Sequence, residues 1–290
     1  MSAEFLAQLD YIGRAVSLYF GIPVLIGGLI GNVLNIIVFL SLRTFRESSC
    51  AFYLIIMSFV NNFQLITGLL VRIVITGFGI DWTQTSLFFC KLRYFLFPAS
   101  SLISCTCLCL ATIDQYFATS SRPRWQQWSN IKLARRLSAL FIILWVLHGI
   151  PYLILYYQVP SSDPTKFVCI NQNSIFTQYR NYFISLIMTG FFPVCFTLIF
   201  GTLAFHNVRT MNYRTVPLVR RELDKQLTTM VLTQDIVNFF TVLPFSIMNA
   251  LSLNTSLTND PIIATKVRFA TSISVFFYYS YFAVSLMKRF

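Results

Sequence analysis

Charged side chains are scarce in this chain of 290 residues: Asp, Glu, Lys and Arg make up 11%, less than half of the roughly 25% usual in a soluble domain. A chain so poor in charge, 56% hydrophobic with a mean hydropathy of +0.66, is neither disordered nor collagen-like nor an ordinary soluble globule. Histidine is rarer still. His148 and His206 lie far apart, and there is no His-Glu-x-x-His stretch, no Ser-His-Asp set and no glycine-rich phosphate loop. The chain is therefore not expected to be an enzyme, and no cofactor or metal is expected. Acids are the scarcer charge, 10 Asp and Glu against 22 Lys and Arg, for a net +12. In a soluble protein that surplus suggests nucleic acid. In so apolar a chain it suggests cations held in cytoplasmic loops, and no nucleic-acid partner is expected. An internal repeat is also lacking, which counts against an inverted-repeat transporter.

What the sequence has is long apolar runs. Seven stretches, about 16–42, 50–76, 87–119, 133–157, 179–205, 226–253 and 264–287, are long enough to cross about 30 Å of hydrocarbon as helices. They predict an all-α membrane protein, a seven-transmembrane helix bundle in one domain over residues 16–290, preceded by a short segment 1–15. The connections after the first, third and fifth spans, with the C-terminus, hold 14 of the 22 cations, among them Arg135-Arg136 and Arg220-Arg221. The positive-inside rule puts those connections in the cytoplasm and residues 1–15 outside, the N-terminus being extracellular. Residues 1–15 have neither a basic start nor a small-residue cleavage site, so the first span is expected to act as the targeting signal.

Two of the seven cysteines fall on the outer side: Cys90 at the start of the third span and Cys169 in the loop between the fourth and fifth. Both face an oxidising compartment, where a disulfide would tie the second outer loop to the third helix; the alternative is two unrelated thiols. Cys90 also sets the depth of the third helix. Asp114 lies 24 residues further on, about 36 Å at 1.5 Å per residue, which puts it at the inner rim.

Several landmarks now stand in order along the chain. These are Gly31-Asn32 in the first span, Ser58-Phe59-Val60-Asn61 in the second, Cys90 with Cys169, Asp114-Gln115-Tyr116 ending the third span, and Trp145, Pro193 and Pro244 in the fourth, fifth and sixth. Together they resemble the rhodopsin-like (class A) G-protein-coupled receptors across essentially the whole length, as a divergent member. Gly31-Asn32 is similar to that family's first-helix Gly-Asn, and Asn61 stands where the family has an Asp. Cys90 and Cys169 match its disulfide, and Asp114-Gln115-Tyr116 its Asp-Arg-Tyr. The resemblance implies a plasma-membrane, multi-pass receptor that couples an extracellular ligand to a heterotrimeric G protein by moving the sixth helix, with Pro244 in that helix.

The departures concern the switch. In the family the Arg of Asp-Arg-Tyr pairs with acids at rest. Gln115 can only share a hydrogen bond with Asp224 at the foot of the sixth helix, so a weaker resting lock is expected, and Asp114 must find another partner, with Arg122, Arg124 or Tyr53 as candidates. Val242 stands in place of the Trp usual before the sixth-helix proline, and Tyr278-Tyr279-Ser280-Tyr281-Phe282 lies in the seventh span without the family's proline. With Asn61 for Asp, no sodium effect is expected. Asn32, Asn35 and Asn61 are first of all expected to bond between helices, and Asp235 to be protonated or bonded to a neighbouring helix.

Arg72, Lys91, Arg93, Arg180, Lys266 and Arg268 lie near the outer ends of the spans. They can snorkel to headgroups, or several can point inward toward an anionic ligand. Phe97 falls seven residues after Cys90, where amine receptors of the family carry an Asp, so an amine is disfavoured. Arg72, Arg93, Phe97, Arg180 and Arg268 are the candidate ligand contacts for a peptide or acidic small molecule. On the inner face the arginine pairs are expected to meet membrane lipid or an intracellular protein. Asn254-Thr255-Ser256 is a glycosylation acceptor sequon on the outer side. The sequence stops at Lys288-Arg289-Phe290 directly after the last span, as expected of a fragment or of a receptor with reduced tail-dependent arrestin binding. Two rival readings remain: a receptor-like protein with weak or no G-protein coupling, and a seven-span channel or transporter.

Overall fold

The computed structural model of the chain describes residues 3–160, 167–210, 218–252 and 261–284. The first long helix runs without a break through Ala3–Val16, a wide turn over Ser17–Gly21, and Ile22–Ser41. The second comprises Ser49–Gln64, a wide stretch Leu65–Leu70 and Val71–Phe78. Leu87–Thr119 is the third and Ile131–Leu155 the fourth. Ser174–Gln178, Tyr179–Phe191 and Phe192–Thr210 make the fifth, Leu218–Leu251 the sixth and Pro261–Ala283 the seventh. Among the described residues, the first six are long and apolar enough to cross a membrane. The seventh, of 23 residues, reaches about 34 Å.

Side-chain caps decide where several helices begin. The Ser48, Ser86, Asn130 and Asn173 side chains accept from the backbone N–H groups of Ala51, Phe89, Lys132 and Phe176, taking up donors that have no partner inside their helices. The second helix stops at Gly79, whose φ of 73° is left-handed and open to glycine without strain.

Burial sorts the helices into an axis and a shell. In the third helix 72% of the most apolar window is buried, against 17% in the fourth. The third can sit at the centre because its inward positions are small and weakly polar: Ser100, Ser101, Ser104, Cys105 and Ala111 let neighbours approach closely. The fourth turns Ile143, Leu147 and Ile154 outward, as a helix with lipid on one side should. First and seventh helices meet where Gly28 has no side chain: a Cβ there would stand 2.8 Å from the Ala283 Cα. One turn on, Asn32 Nδ2 donates to the Phe282 carbonyl at 2.8 Å and to the Gly28 carbonyl at 2.9 Å.

Between the fourth and fifth helices the chain forms a hairpin, β1 (Tyr157–Pro160) antiparallel to β2 (Phe167–Ile170), with Gln158 opposite Cys169. Cys169 is bonded to Cys90, so the hairpin is fastened to the start of the third helix. The disulfide is packed with Tyr152 and Tyr156, and the Tyr94 ring stacks on Tyr156 at 3.9 Å.

Candidate functional site

At the disulfide end, which the cation count assigns to the outside, residues of the second to seventh helices line a cavity of about 350 Å³, within the range of small-molecule sites, the fourth helix contributing Tyr152. Arg72, Arg93, Phe97 and Arg180 all line it, and among the described residues no Asp or Glu does. The three arginines are not equivalent. Arg180 is committed, its Nε donating to Asn181 Oδ1 at 2.9 Å and its Nη1 to the Tyr156 hydroxyl. Arg72 donates one bond, from Nη2 to Ser272 Oγ at 3.2 Å, and its buried Nε has no partner. Arg93 lies near enough to repel it electrostatically and donates no hydrogen bond within the described residues. Two adjacent guanidinium groups with spare donors, faced by no carboxylate among the described residues, form a place that an anion would stabilise.

Phe97 supplies an aromatic wall, its ring 5.9 Å from Tyr278 and 6.3 Å from Tyr279. Beneath it lies a polar floor that the sequence reading missed. Ser100 donates to Gln64 Oε1, Gln64 Nε2 to the Tyr278 hydroxyl at 3.3 Å, and Tyr278 in turn to Ser101 Oγ at 2.9 Å, joining the second, third and seventh helices. The one signal available was the presence of these polar residues inside apolar runs. Deeper still, Asn61 Oδ1 accepts from Ser104 Oγ at 2.7 Å, and Gln234 Nε2 donates to the Tyr281 carbonyl at 2.9 Å. Val242 is buried, and Pro244 lies inside the sixth helix. Asp235 is buried too, against Gly201 and Thr197 of the fifth helix. The Arg268 side chain and Asn254 with its sequon lie outside what is described.

At the inner rim one expectation is corrected. Asp114 is held by none of Arg122, Arg124 and Tyr53: both its oxygens accept from Ser49 Oγ at 2.7 Å, and one accepts from Ser129 Oγ at 3.1 Å. The first turn of the second helix and the end of the second inner loop both come within reach of the buried carboxylate, whereas Arg122 and Arg124 are exposed. Gln115 meets the sixth helix at Thr228, whose Oγ1 donates to Gln115 Oε1 at 3.0 Å. Thr228 is one turn beyond Asp224, which is buried. Tyr116 packs against Trp125 and Phe200, each ring at 5.6 Å.

Seven helices around a polar-centred third helix, with a cavity at one end and a hydrogen-bonded rim at the other, define a seven-helix membrane receptor fold. The family model described as 7 transmembrane receptor (rhodopsin family) matches residues 31–284, and the chain belongs to that family. Compared with curated proteins, the chain has no match. Membership makes it a multi-pass membrane receptor rather than an enzyme, with an extracellular ligand and a G protein as partners in general.

Proposed function

We propose that this receptor stands in the plasma membrane and binds an extracellular peptide or small molecule through an anionic group, passing the signal to a heterotrimeric G protein by movement of the sixth helix. The observation that carries the ligand class is the pairing of Arg72 and Arg93 in a cavity that no Asp or Glu among the described residues lines. A carboxylate between them would take the spare donors and relieve their repulsion, and Phe97 leaves an ammonium group nothing to pair with. Cells displaying the tagged receptor, with energy-transfer sensors for each G-protein class, are to be challenged with pooled small carboxylic acids and short peptides. Arg72→Gln and Arg93→Gln should each lower potency by about tenfold or more, as expected for losing a charge-assisted hydrogen bond of about 1.5–3 kcal/mol. Responses confined to amines, or acid responses unchanged in both variants, would sink the ligand class.

The reading of weak coupling draws on Gln115, which ties the third helix to Thr228 by a neutral hydrogen bond where the family has an ion pair. Gln115→Arg sets a cation close to Asp114 and Asp224, which already act on one another electrostatically. Basal G-protein dissociation should fall in that variant, because the resting tie is strengthened. Unchanged basal and stimulated signals would show that position 115 does not carry the switch.

A further inference from the structure

Near the middle of the membrane-crossing stretch Glu222–Leu251, the sixth helix carries an acid that takes no part in the outer cavity. Asp235 is 3% exposed and packs on the fifth helix where that helix has no side chain: a Cβ on Gly201 would stand 3.1 Å from Asp235 Oδ2. Among the described residues neither carboxyl oxygen is matched to a donor of good geometry. The polar group that faces it on the fifth helix is the Thr197 hydroxyl, which gives its own proton to the Val194 carbonyl at 3.4 Å and keeps lone pairs for the acid. The third helix brings up Thr112 and the Cys109 thiol, and the seventh brings Tyr281. On the sixth helix itself Gln234 is spent on the Tyr281 carbonyl, and Asn238, one turn toward the outside, is fully buried with both amide atoms unpartnered. None of these neighbours is Lys, Arg or His.

A carboxylate without a countercharge inside hydrocarbon is far costlier than the neutral acid. The neutral acid also has a partner here, because its O–H can donate to the Thr197 oxygen, which the ionised form would meet lone pair to lone pair. Packing leaves four polar atoms of this seam unmatched, two on Asp235 and two on Asn238, and water would satisfy all four. Moving the sixth helix away from the fifth admits that water, and a hydrated carboxyl is ionised at neutral pH. We propose that Asp235 is a proton-linked switch: it holds a proton while the sixth helix is packed on the fifth and releases it when the helix moves out, so that acid stabilises the resting receptor. In that step the carboxyl O–H bond breaks, its electron pair stays on the oxygen and the proton passes to water. The resting form binds one proton more than the moved form. The ratio of moved to resting receptor therefore rises with pH, by up to about tenfold per unit. The switch rests on the sixth-helix movement of the proposed function and makes the proton a second ligand of it.

Purified receptor in lipid nanodiscs, with both faces in one buffer, tests this. An environment-sensitive fluorophore is placed at Lys225→Cys, an exposed position at the inner end of the sixth helix, in a Cys195→Ser background that removes the exposed free thiol. Raising the pH should shift the emission toward that seen with purified G protein, and a protonated-carboxyl band should leave the infrared spectrum in step. Asp235→Asn, neutral at every pH, should lack both the band and the pH response, and should stay at the level that the parent reaches in acid. His206→Gln, an exposed histidine at the inner end of the fifth helix, should change neither. A pH response undiminished in Asp235→Asn overturns the switch, and its loss in Asp114→Asn instead moves the proton to the inner rim. A receptor that answers sodium at fixed pH, with Asp235 ionised at rest, overturns it in favour of a cation. A fluorophore that responds to G protein but not to pH overturns the proton switch alone, and one that responds to neither overturns the sixth-helix movement as well.

Discussion

Replacing Cys90 or Cys169 by serine is expected to remove the receptor from the cell surface, and to the same extent for either residue. Their disulfide closes a loop of 79 residues, for which the chain-entropy account gives about 4.5 kcal/mol. That is a large share of the roughly 5–15 kcal/mol by which folded domains exceed their unfolded chains. The loss is local in its consequences. Freed of Cys169, the β1–β2 hairpin keeps, among the described residues, Gln158 Nε2 donating to the Thr83 carbonyl at 2.7 Å, in the connection between the second and third helices. The Tyr94–Tyr156 stack and the hold of Tyr156 on Arg180 then loosen together, and with them one side of the outer cavity. Flow cytometry against an outer epitope measures the effect. The double Cys90→Ser/Cys169→Ser variant should be no worse than either single one, since both remove one bond. Normal surface levels with an intact response in both single variants would count against a structural role for the bond.

Gly28→Val should be nearly as damaging, though it does not touch the outer cavity. A Cβ at this position would stand 2.7 Å from the Ala283 Cβ and the Leu65 Cδ1, and 2.8 Å from the Ala283 Cα. Backbone on the seventh helix cannot give way as a flexible side chain can, so the first helix must move outward. That movement stretches the bond from Asn32 Nδ2 to the Phe282 carbonyl. Overpacking by one methyl costs about 1–3 kcal/mol, and the branched side chain more, so Gly28→Ala should lower the heat-denaturation midpoint and Gly28→Val prevent recovery of folded receptor. Gly27→Ala, with nothing within 4 Å of the added methyl, is the matched control and should be neutral. A Gly28→Val receptor as heat-stable as the parent would show that the first helix is free to shift there.

Much of the fold was legible because a bilayer leaves few choices. Long uncharged runs must become helices to satisfy their own backbone, and the excess of cations in alternate connections orients them. The cysteine pair was legible for a related reason: Cys90 and Cys169 stand at the outer side while the other five thiols fall in spans or at the inner edge. The partners of Asp114 were not. Opposite charge pointed to Arg122 and Arg124, but hydroxyls brought up from 65 positions earlier and 15 later satisfy the carboxylate. Hydrogen bonds from small side chains leave no trace in a sequence, because Ser49 and Ser129 look like any other serine.

The outer site shows the same division. The arginines could be listed from the sequence but not ranked, since whether a cation snorkels or turns inward depends on what packs beside it. Packing left Arg72 and Arg93 with spare donors in the cavity and spent Arg180 on Asn181 and Tyr156. By itself, then, the sequence determined the membrane class, the helix count and the covalent tie, all set by composition and position along one chain. Tertiary structure alone decided which polar groups meet across helices: the Gln64–Tyr278–Ser101 floor, the serines on Asp114, Thr228 on Gln115. Those contacts depend on the rotation and depth of each helix against its neighbours, and close packing fixes these only when all seven are assembled.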